Sequence, residues 1–117
     1  MTVHDIIRTA FSGEFEDIEN DTDAAKHCID VLNTLLIDCF EAEQNSRERD
    51  GKELLTEIPQ VTEMTDEVPY NMMMVGRVLP IGIEWKWNEQ NLDQYRADQY
   101  ERRYEDAKMI AGGGVWL

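Results

Sequence analysis

The sequence predicts a mainly α-helical protein, a small bundle of about four helices with an extended arm or short hairpin between helices two and three and an extended C-terminal tail. Apolar residues recur at spacings of three and four in several segments, which is typical of amphipathic helices. The stretch richest in β-favouring residues contains Pro59, which cannot lie in a central strand. The 117 residues fit one domain, predicted to be residues 1–111, followed by a flexible docking tail of residues 112–117.

Two helices are predicted in the first part of the chain. The spacing in residues 3–11 predicts a short first helix, and Gly13 follows it where a left-handed cap would suit. An acidic connector, GEFEDIEND, leads to Asp21 or Thr22, either of which can cap the next helix with a side-chain oxygen. That second helix is predicted from about 22 to about 44, and its stripe is Ala25, Cys28, Leu32, Leu35 and Cys39.

The segment after helix two is predicted to leave the bundle. QNSRERDGKE is polar and contains a glycine, which favours a loop. LLTEIPQVTEMTDE follows, with Ile58 and Val61 on either side of Pro59. This pattern predicts a short edge hairpin or an extended arm near residues 52–66.

A third helix is predicted to start near residues 66–69, with Pro69 in its first turn. Pro80 lies inside this helix and predicts a kink, while Gly76 and Gly82 would allow a neighbouring helix to approach closely. Methionine fills irregular gaps, so the methionines are interpreted as core. The apolar face is predicted to comprise Met72, Met73, Val75, Leu79, Ile83 and Trp85.

A polar break, NEQNLDQ, separates the third and fourth helices. It offers Asn88 or Asn91 as a cap, and Gln94 would complete a capping box after Asn91. The fourth helix is predicted to end near residue 110, with Arg96, Arg102, Arg103 and Lys108 away from its stripe of Ala97, Tyr100, Tyr104, Ala107 and Ala111.

Two tryptophans flank the end of the third helix. Trp85 and Trp87 lie two positions apart and therefore point to different sides of a helix. One is predicted to join the core, and the other to be exposed or to lie at an interface.

Charge and composition exclude several classes of function. Residues 1–67 hold 18 acids and 5 bases, whereas residues 68–117 hold 7 acids and 6 bases, giving a net charge of −14. This field repels phosphate and disfavours binding to a nucleic-acid backbone. No apolar run approaches the ~20 residues of a membrane span, and no signal-peptide pattern begins the chain, so a cytoplasmic protein is expected.

Metal and redox chemistry are not predicted. Cys28 and Cys39 would lie about 16 Å apart on one helix, too far for a disulfide, and are interpreted as buried apolar residues. His4 and His27 lack a partner at a zinc-ligand spacing. The acids from Asp17 onward resemble the start of an EF-hand loop, but its required glycine and final glutamate are absent.

An enzymatic role is not predicted either. Glu14 with Asp17, or Glu41 with Glu43, could hold magnesium in an all-α nucleotide hydrolase, but such a site needs acids converging from two helices and a group that binds phosphate. A P-loop, a nucleophile elbow and a glycine-rich dinucleotide turn are all missing. We therefore expect a protein without a catalytic site or a cofactor.

The order of elements resembles a known family. DEVPYNMMMVGRVLPIGIEWKWNEQNLDQYRADQYERRYEDAK is similar to the C-terminal half of head-to-tail connector (adaptor) proteins of tailed bacteriophages. The residues that carry this resemblance are the entry Val68-Pro69-Tyr70, the polar break NEQN, and the last helix with Tyr95, Tyr100 and Tyr104. The stretch DVLNTLLIDC is comparable to the family's second helix.

The resemblance implies a structural virion protein. Such adaptors form a ring, typically dodecameric, that docks on the portal protein and joins the DNA-filled capsid to a tail or nozzle protein. The genome passes through the channel without specific binding, and no membrane is involved. The resemblance places the chain at the head-to-tail interface of the virion, after assembly in the host cytoplasm.

On this interpretation the C-terminal MIAGGGVWL is a flexible tether that carries an apolar plug. Burying the last three side chains gains about 2–4 kcal/mol each at most, while ordering each residue costs about 1–2 kcal/mol. The net free energy of docking a single tail is therefore close to zero. A ring of tails, each held near its binding site by the neighbouring copies, would bind stably. The predicted partner-binding residues are Gly112, Gly113, Gly114, Val115, Trp116, Leu117, Trp87, Arg102 and Arg103.

An alternative from another class is a small acidic phage-encoded inhibitor that mimics the charge of DNA. It would bind a basic protein with a steep dependence on salt concentration. The alternative gives no use to the apolar tail. In the connector, the acid-rich half would instead line the channel and repel the DNA phosphates.

Overall fold

A computed structural model of the chain describes residues 1–12 and 15–113 and confirms a mainly helical fold. In chain order the elements are α1 (Val3–Ala10), α2 (Phe15–Asn20), α3 (Thr22–Asp38), α4 (Phe40–Arg49), a π-helix (Met74–Val78), α5 (Leu79–Gln90) and α6 (Gln94–Ala111). Helix α5 packs along α6 as a hairpin, α1 and α3 pack against α5, and α4 packs against α6. A continuous apolar core lies between these helices.

The first helix forms as predicted, and the connector after it is also helical. A capping box closes the start of α1, because Thr2 Oγ1 accepts the Asp5 N–H and Asp5 Oδ2 accepts the Thr2 N–H, both at 3.2 Å. Gly13, the predicted cap, lies outside the described residues. Helix α2 is missed by the spacing rule because it has six residues and Ile18 is its buried apolar anchor among the side chains described.

The predicted second helix consists of two helices. Its start is confirmed, since Asp21 Oδ1 accepts the backbone N–H groups of Asp23 (3.0 Å) and Ala24 (3.1 Å). The helix is interrupted at Cys39, where φ is −92° and ψ is −2°. Because this conformation stays in the right-handed region, a further helix continues directly from Phe40.

The loop predicted over QNSRERDGKE is wrong in its first part, because α4 extends to Arg49. The inward face of α4 is polar, with Glu43 fully buried and Ser46 2% exposed. A helix that buries polar residues lacks the apolar spacing on which the prediction depends. Its buried groups are satisfied by partners that are distant in sequence.

The distant partner is Asn71 at the end of the arm, and Arg47 of α4 itself completes the set. Glu43 Oε2 accepts a 2.6 Å hydrogen bond from Arg47 Nε, and Glu43 Oε1 accepts the Asn71 N–H at 3.0 Å. Asn71 Nδ2 donates to Ser46 Oγ at 2.8 Å. Arg47 also donates to the carbonyl of Pro69. A buried ion pair is tolerated here because each charged group has these additional hydrogen bonds.

The arm itself is extended rather than a hairpin. Two side-chain amides hold its backbone in a β-like pattern. Asn33 exchanges two hydrogen bonds with Val61 (both 2.8 Å), and Gln44 does the same with Leu55 (2.8 and 2.9 Å). Within residues 1–12 and 15–113 no strand forms, and one antiparallel bridge joins Thr2 to Glu67.

The third helix differs from its prediction in start and shape. It begins at Met72 rather than near residues 66–69, because Asn71 Oδ1 accepts the Met74 N–H (3.2 Å) and caps it. A π-helical turn precedes Pro80: the Leu79 N–H bonds to the Met74 carbonyl, and Pro80 lies in the first turn of α5. Proline is tolerated in a first turn because its missing N–H is not needed there.

The π-turn also changes which residues face the core. An extra residue in the turn shifts the helical phase, so Met74 and Val75 are buried. Met72 is 71% exposed and Met73 is 48% exposed, so the prediction that they fill the core is wrong.

The α5–α6 hairpin is held by a close contact and by a cap that differs from prediction. A Cβ placed on Gly82 would lie 2.9 Å from the Tyr104 ring, so the predicted close approach at Gly82 is confirmed. Gly76 has open space beside it and plays no such part. The cap of α6 is Asp93, whose Oδ1 accepts the Arg96 N–H (3.1 Å), rather than Asn88 or Asn91.

Candidate partner-binding surfaces

The first two glycines of the predicted tail belong to the end of α6. The Gly112 N–H bonds to the Lys108 carbonyl (2.9 Å), and the Gly113 N–H bonds to the Ile110 carbonyl (3.0 Å). Gly113 has φ of +78°, the left-handed conformation that favours glycine after a helix. A Cβ on Gly113 would also meet the Arg49 guanidinium at 2.5 Å. These two residues therefore close the helix against α4, and Gly114, Val115, Trp116 and Leu117 lie outside the described residues.

A groove of about 300 Å³ lies between α4 and α6, beside this helix end. Gly112 lines it, and a Cβ there would lie 3.2 Å from the Ala42 Cβ. Three of its other seven lining residues are acidic, and Lys108 is the basic residue among them. The groove is lined by Asp38, Glu41, Ala42, Asn45, Glu105, Lys108, Met109 and Gly112.

A hydrogen-bond network closes the inner end of this groove. Asp38 Oδ2 accepts from the Tyr104 hydroxyl (2.5 Å) and from Lys108 Nζ (3.0 Å), and Cys39 Sγ lies 3.1 Å from the same hydroxyl. Burial opposes ionisation of Asp38, but the hydrogen bonds from Tyr104 and Lys108 outweigh it and lower the Asp38 pKa. The network fixes α3 to α6 across the groove.

This network does not supply a reactive group. Burial raises the pKa of the Cys39 thiol to about 11, and burial does the same for Cys28. Burial, followed by the neighbouring Cys39 and Asp38, also raises the Tyr104 pKa far above its ordinary value. In residues 1–12 and 15–113 no group of three or more His, Cys, Asp or Glu is placed to hold a metal ion.

Trp85 and Trp87 are both partly buried against the core, so neither is the exposed tryptophan that the sequence allowed, and a place for one of them at an interface stays a prediction. Trp87 is half-buried, and its ring meets Phe11 edge-on with centroids 5.1 Å apart. Trp85 lies against Tyr104 with centroids 5.3 Å apart, and Lys86 Nζ lies 3.9 Å from the centroid of the Trp85 ring. The partially exposed edge of Trp87 remains available to a partner.

Arg102 and Arg103 are exposed on α6. The Arg103 guanidinium lies 5.3 Å from the Tyr100 ring, which orients it by a cation–π contact. Trp87 is near the start of the hairpin turn, whereas Gly112 and Gly113 are at the opposite end of α6. Of the predicted partner-binding residues, Trp87 therefore lies on a different surface from Gly112 and Gly113.

An exposed apolar surface that the sequence does not predict lies at the turn between α5 and α6. Leu92 is 91% exposed and has φ of 61°, and Tyr95 is 75% exposed at the start of α6. We call Leu92 and Tyr95 the tip. A single leucine within the polar sequence NEQNLDQ is the signal that could have identified it.

A second missed surface is a groove between α3 and the arm, with a volume of about 680 Å³. We call it the α3–arm groove. Its apolar lining comprises Ala25, Ile29, Val61 and Met64, and Lys26, Asp30 and Glu63 are among its polar residues. The two hydrogen bonds between the Asn33 side chain and the Val61 backbone fix the width of this groove at one end.

Comparison with known proteins leaves the function to be argued from these surfaces. No family model, no curated protein and no solved structure matches this chain. In the ranges that the structure describes, no helix has the length and hydropathy needed to cross a bilayer.

Proposed function

We propose that this chain is a head-to-tail connector protein of a tailed bacteriophage, a structural subunit that acts without catalysis. Copies of it would form a ring that docks on the portal protein, binds a tail or nozzle protein below, and leaves a channel for the genome. Its site of action would be the virion. The resemblance of Val68-Pro69-Tyr70, NEQN and the tyrosine-bearing α6 to that family motivates the proposal.

The observation that carries the proposal is the spread of large exposed apolar side chains over several elements. Exposed apolar residues that are scattered singly need no explanation, but here some are direct neighbours in the chain, namely Met72 with Met73 and Met109 with Ile110, and adjacent exposed apolar residues mark contact sites. A ring subunit needs contacts to two neighbours, to the portal and to the tail, which requires apolar residues on several faces. The large apolar residues with at least two-fifths of their surface exposed are Ile37, Leu54, Ile58, Met72, Met73, Leu92, Tyr95, Met109 and Ile110.

The acidic charge has a use in such a ring. Most carboxylates of the first 67 residues are on the surface, including Asp17, Asp23 and Asp30. A channel wall of this sign would repel DNA phosphates and let the genome slide. The α6 arginines Arg102 and Arg103 would lie away from that wall and are available to an acidic partner surface.

The test is to mix the purified chain with the portal protein encoded by the same genome and weigh the product by native mass spectrometry. The expected result is a portal ring carrying many copies of the chain. A chain that ends at Gly113 keeps the cap of α6 and removes the four following residues, so it isolates the role of the tail. Weaker loading of this shortened chain is expected.

Two outcomes would contradict the proposal. If the full chain never associates with the portal, the connector function is wrong. If it instead binds a basic host protein with an affinity that falls steeply between low and physiological salt, the acidic inhibitor is the better account.

A further inference from the structure

The tip is built in a way that the folded monomer does not explain. Leu92 follows Asn91, the C-cap of α5, and therefore occupies the position after a helix where glycine or asparagine usually adopts the left-handed conformation. Leucine is disfavoured in this conformation because its Cβ crowds the following carbonyl oxygen. Glycine there would make the isolated chain more stable.

Packing within the chain does not compensate for this cost. Leu92 also precedes the N-cap Asp93 of α6, where an apolar residue often packs on the fourth helical residue, here Ala97. An exposure of 91% shows that this staple is not formed. Tyr95, three residues further, is 75% exposed. Two large side chains therefore project from a rigid helical turn.

The α3–arm groove offers an apolar lining and enough volume to receive such side chains. It is the larger of the two grooves described above, and Ile29 and Met64 are among its apolar lining residues. Lys26 at its rim carries the charge opposite to Glu89 and Asp93 beside the tip. Asp30 and Glu63 also line the groove, and their charge is opposite to that of Arg96 at the start of α6.

The tip cannot enter the groove of its own chain. The groove adjoins the start of α1, because the His4 N–H bonds to the Met64 carbonyl (2.9 Å). The tip is near the other end of α1, because Phe11 contacts Trp87 on the last turn before it. Eight residues of α1, about 12 Å of helix, separate the two.

We infer that the tip of one copy binds in the α3–arm groove of a second copy. The two surfaces differ, so the contact is head-to-tail, and repeated contacts of this kind either close into a ring or continue as a filament. Closure into a ring rests on the proposed function. The occupant of the groove is therefore a second copy of this chain.

The first experiment is sedimentation velocity over a range of protein concentrations. The wild-type chain is expected to form species larger than the monomer. Leu92→Gly is expected to weaken this association roughly 10- to 100-fold, because it removes one buried leucine from the contact. The same substitution is expected to raise the thermal unfolding midpoint of the monomer, which separates a lost contact from a damaged fold.

Two further variants give matched controls. Ala25→Trp fills the groove from α3 and is expected to abolish association, with folding checked by circular dichroism. Ile37→Ser removes an apolar side chain that is 62% exposed and lies outside both surfaces, and it is expected to leave association unchanged.

Mixing the two defective variants provides the decisive result. Leu92→Gly keeps an intact groove and Ala25→Trp keeps an intact tip, so a mixture is expected to form one-to-one dimers and nothing larger. Absence of dimers from this mixture, or a wild-type chain that stays monomeric at its highest soluble concentration, overturns the inference.

The inference and the proposed function fail separately. If Leu92→Gly still loads the portal with a complete ring, the tip does not join neighbouring copies, while the connector function stands. If the wild-type chain associates through tip and groove but ignores the portal, the contact stands and the connector function fails.

Discussion

At the scale of single residues, the α5–α6 hairpin depends on the missing side chain at Gly82. The Tyr104 ring and the Leu35 methyl group both approach to 2.9 Å from the point where a Cβ would be. Tyr104 cannot move away easily, because its hydroxyl donates a hydrogen bond to Asp38 and its ring packs against Trp85. The position therefore excludes even the smallest side chain without a shift of one helix.

Gly82→Ala is accordingly expected to lower the free energy of unfolding by up to about 2 kcal/mol, since overpacking costs about 1–3 kcal/mol and the helix propensity of alanine returns about 1 kcal/mol. Gly76→Ala is the matched control, because nothing lies within 4 Å of the added Cβ. Urea unfolding measures both. Equal effects of the two substitutions would show that the close contact is not limiting.

At the scale of elements, the arm is held by side chains rather than by a sheet. The amides of Asn33 and Gln44 each replace a neighbouring strand by offering one donor and one acceptor to the backbone. Val61 is 2% exposed, so its N–H is poorly accessible to water if Asn33 is removed. Loss of the two Asn33 hydrogen bonds is therefore expected to destabilise the fold more than loss of the two Gln44 hydrogen bonds.

Asn33→Ala is expected to lower the free energy of unfolding by about 1–3 kcal/mol, because two hydrogen bonds are lost and a buried N–H is left unsatisfied. Asn45→Ala on exposed α4 surface is the control and is expected to change it little. Hydrogen exchange locates the effect: the Val61 amide should exchange faster in Asn33→Ala alone. Unchanged exchange at Val61 would mean that the arm is held by other contacts.

The elements that could be predicted from the sequence are those with an apolar stripe or a clear cap. Helix α1, the start of α3 at Asp21 and the stripe of α6 fall in this class. The second half of α4 could not, because Glu43 and Ser46 take the buried positions and their partners come from residue 71 and its neighbours. The π-turn before Pro80 likewise follows from tertiary packing rather than from local propensity.

The candidate surfaces show the same limit. The sequence pointed to the tail and Trp87, whose residue types are unusual where they occur. Leu92 is an ordinary residue type, and its interest arises from φ of 61° together with its exposure. Both quantities are set by how α5 ends and α6 begins, which no local pattern specifies.

At the scale of the whole molecule, two electrostatic effects act in opposite directions as pH falls. The excess of 25 acids over 11 bases makes the folded chain repel itself, so partial protonation of exposed carboxylates is stabilising. Asp5, Asp38 and Asp66 act the other way, because hydrogen bonds hold each pKa below its ordinary value. A lowered folded-state pKa stabilises the fold above the unfolded value and ceases to do so as pH falls through the folded one.

The thermal unfolding midpoint is therefore expected to stay level or to rise as the pH is lowered from neutral to about 5. At pH values below about 4, the ordinary pKa range of aspartate, the midpoint is expected to decrease. Asp66 accepts the backbone N–H groups of Thr62 (2.8 Å) and Glu63 (3.0 Å), so Asp66→Ala should be less stable at neutral pH and show a smaller acid-side fall. Asp30→Ala makes the same change in net charge at an exposed position and should keep the wild-type profile. If both variants fall alike in acid, the general charge of the molecule rather than the hydrogen-bonded carboxylates determines its acid stability.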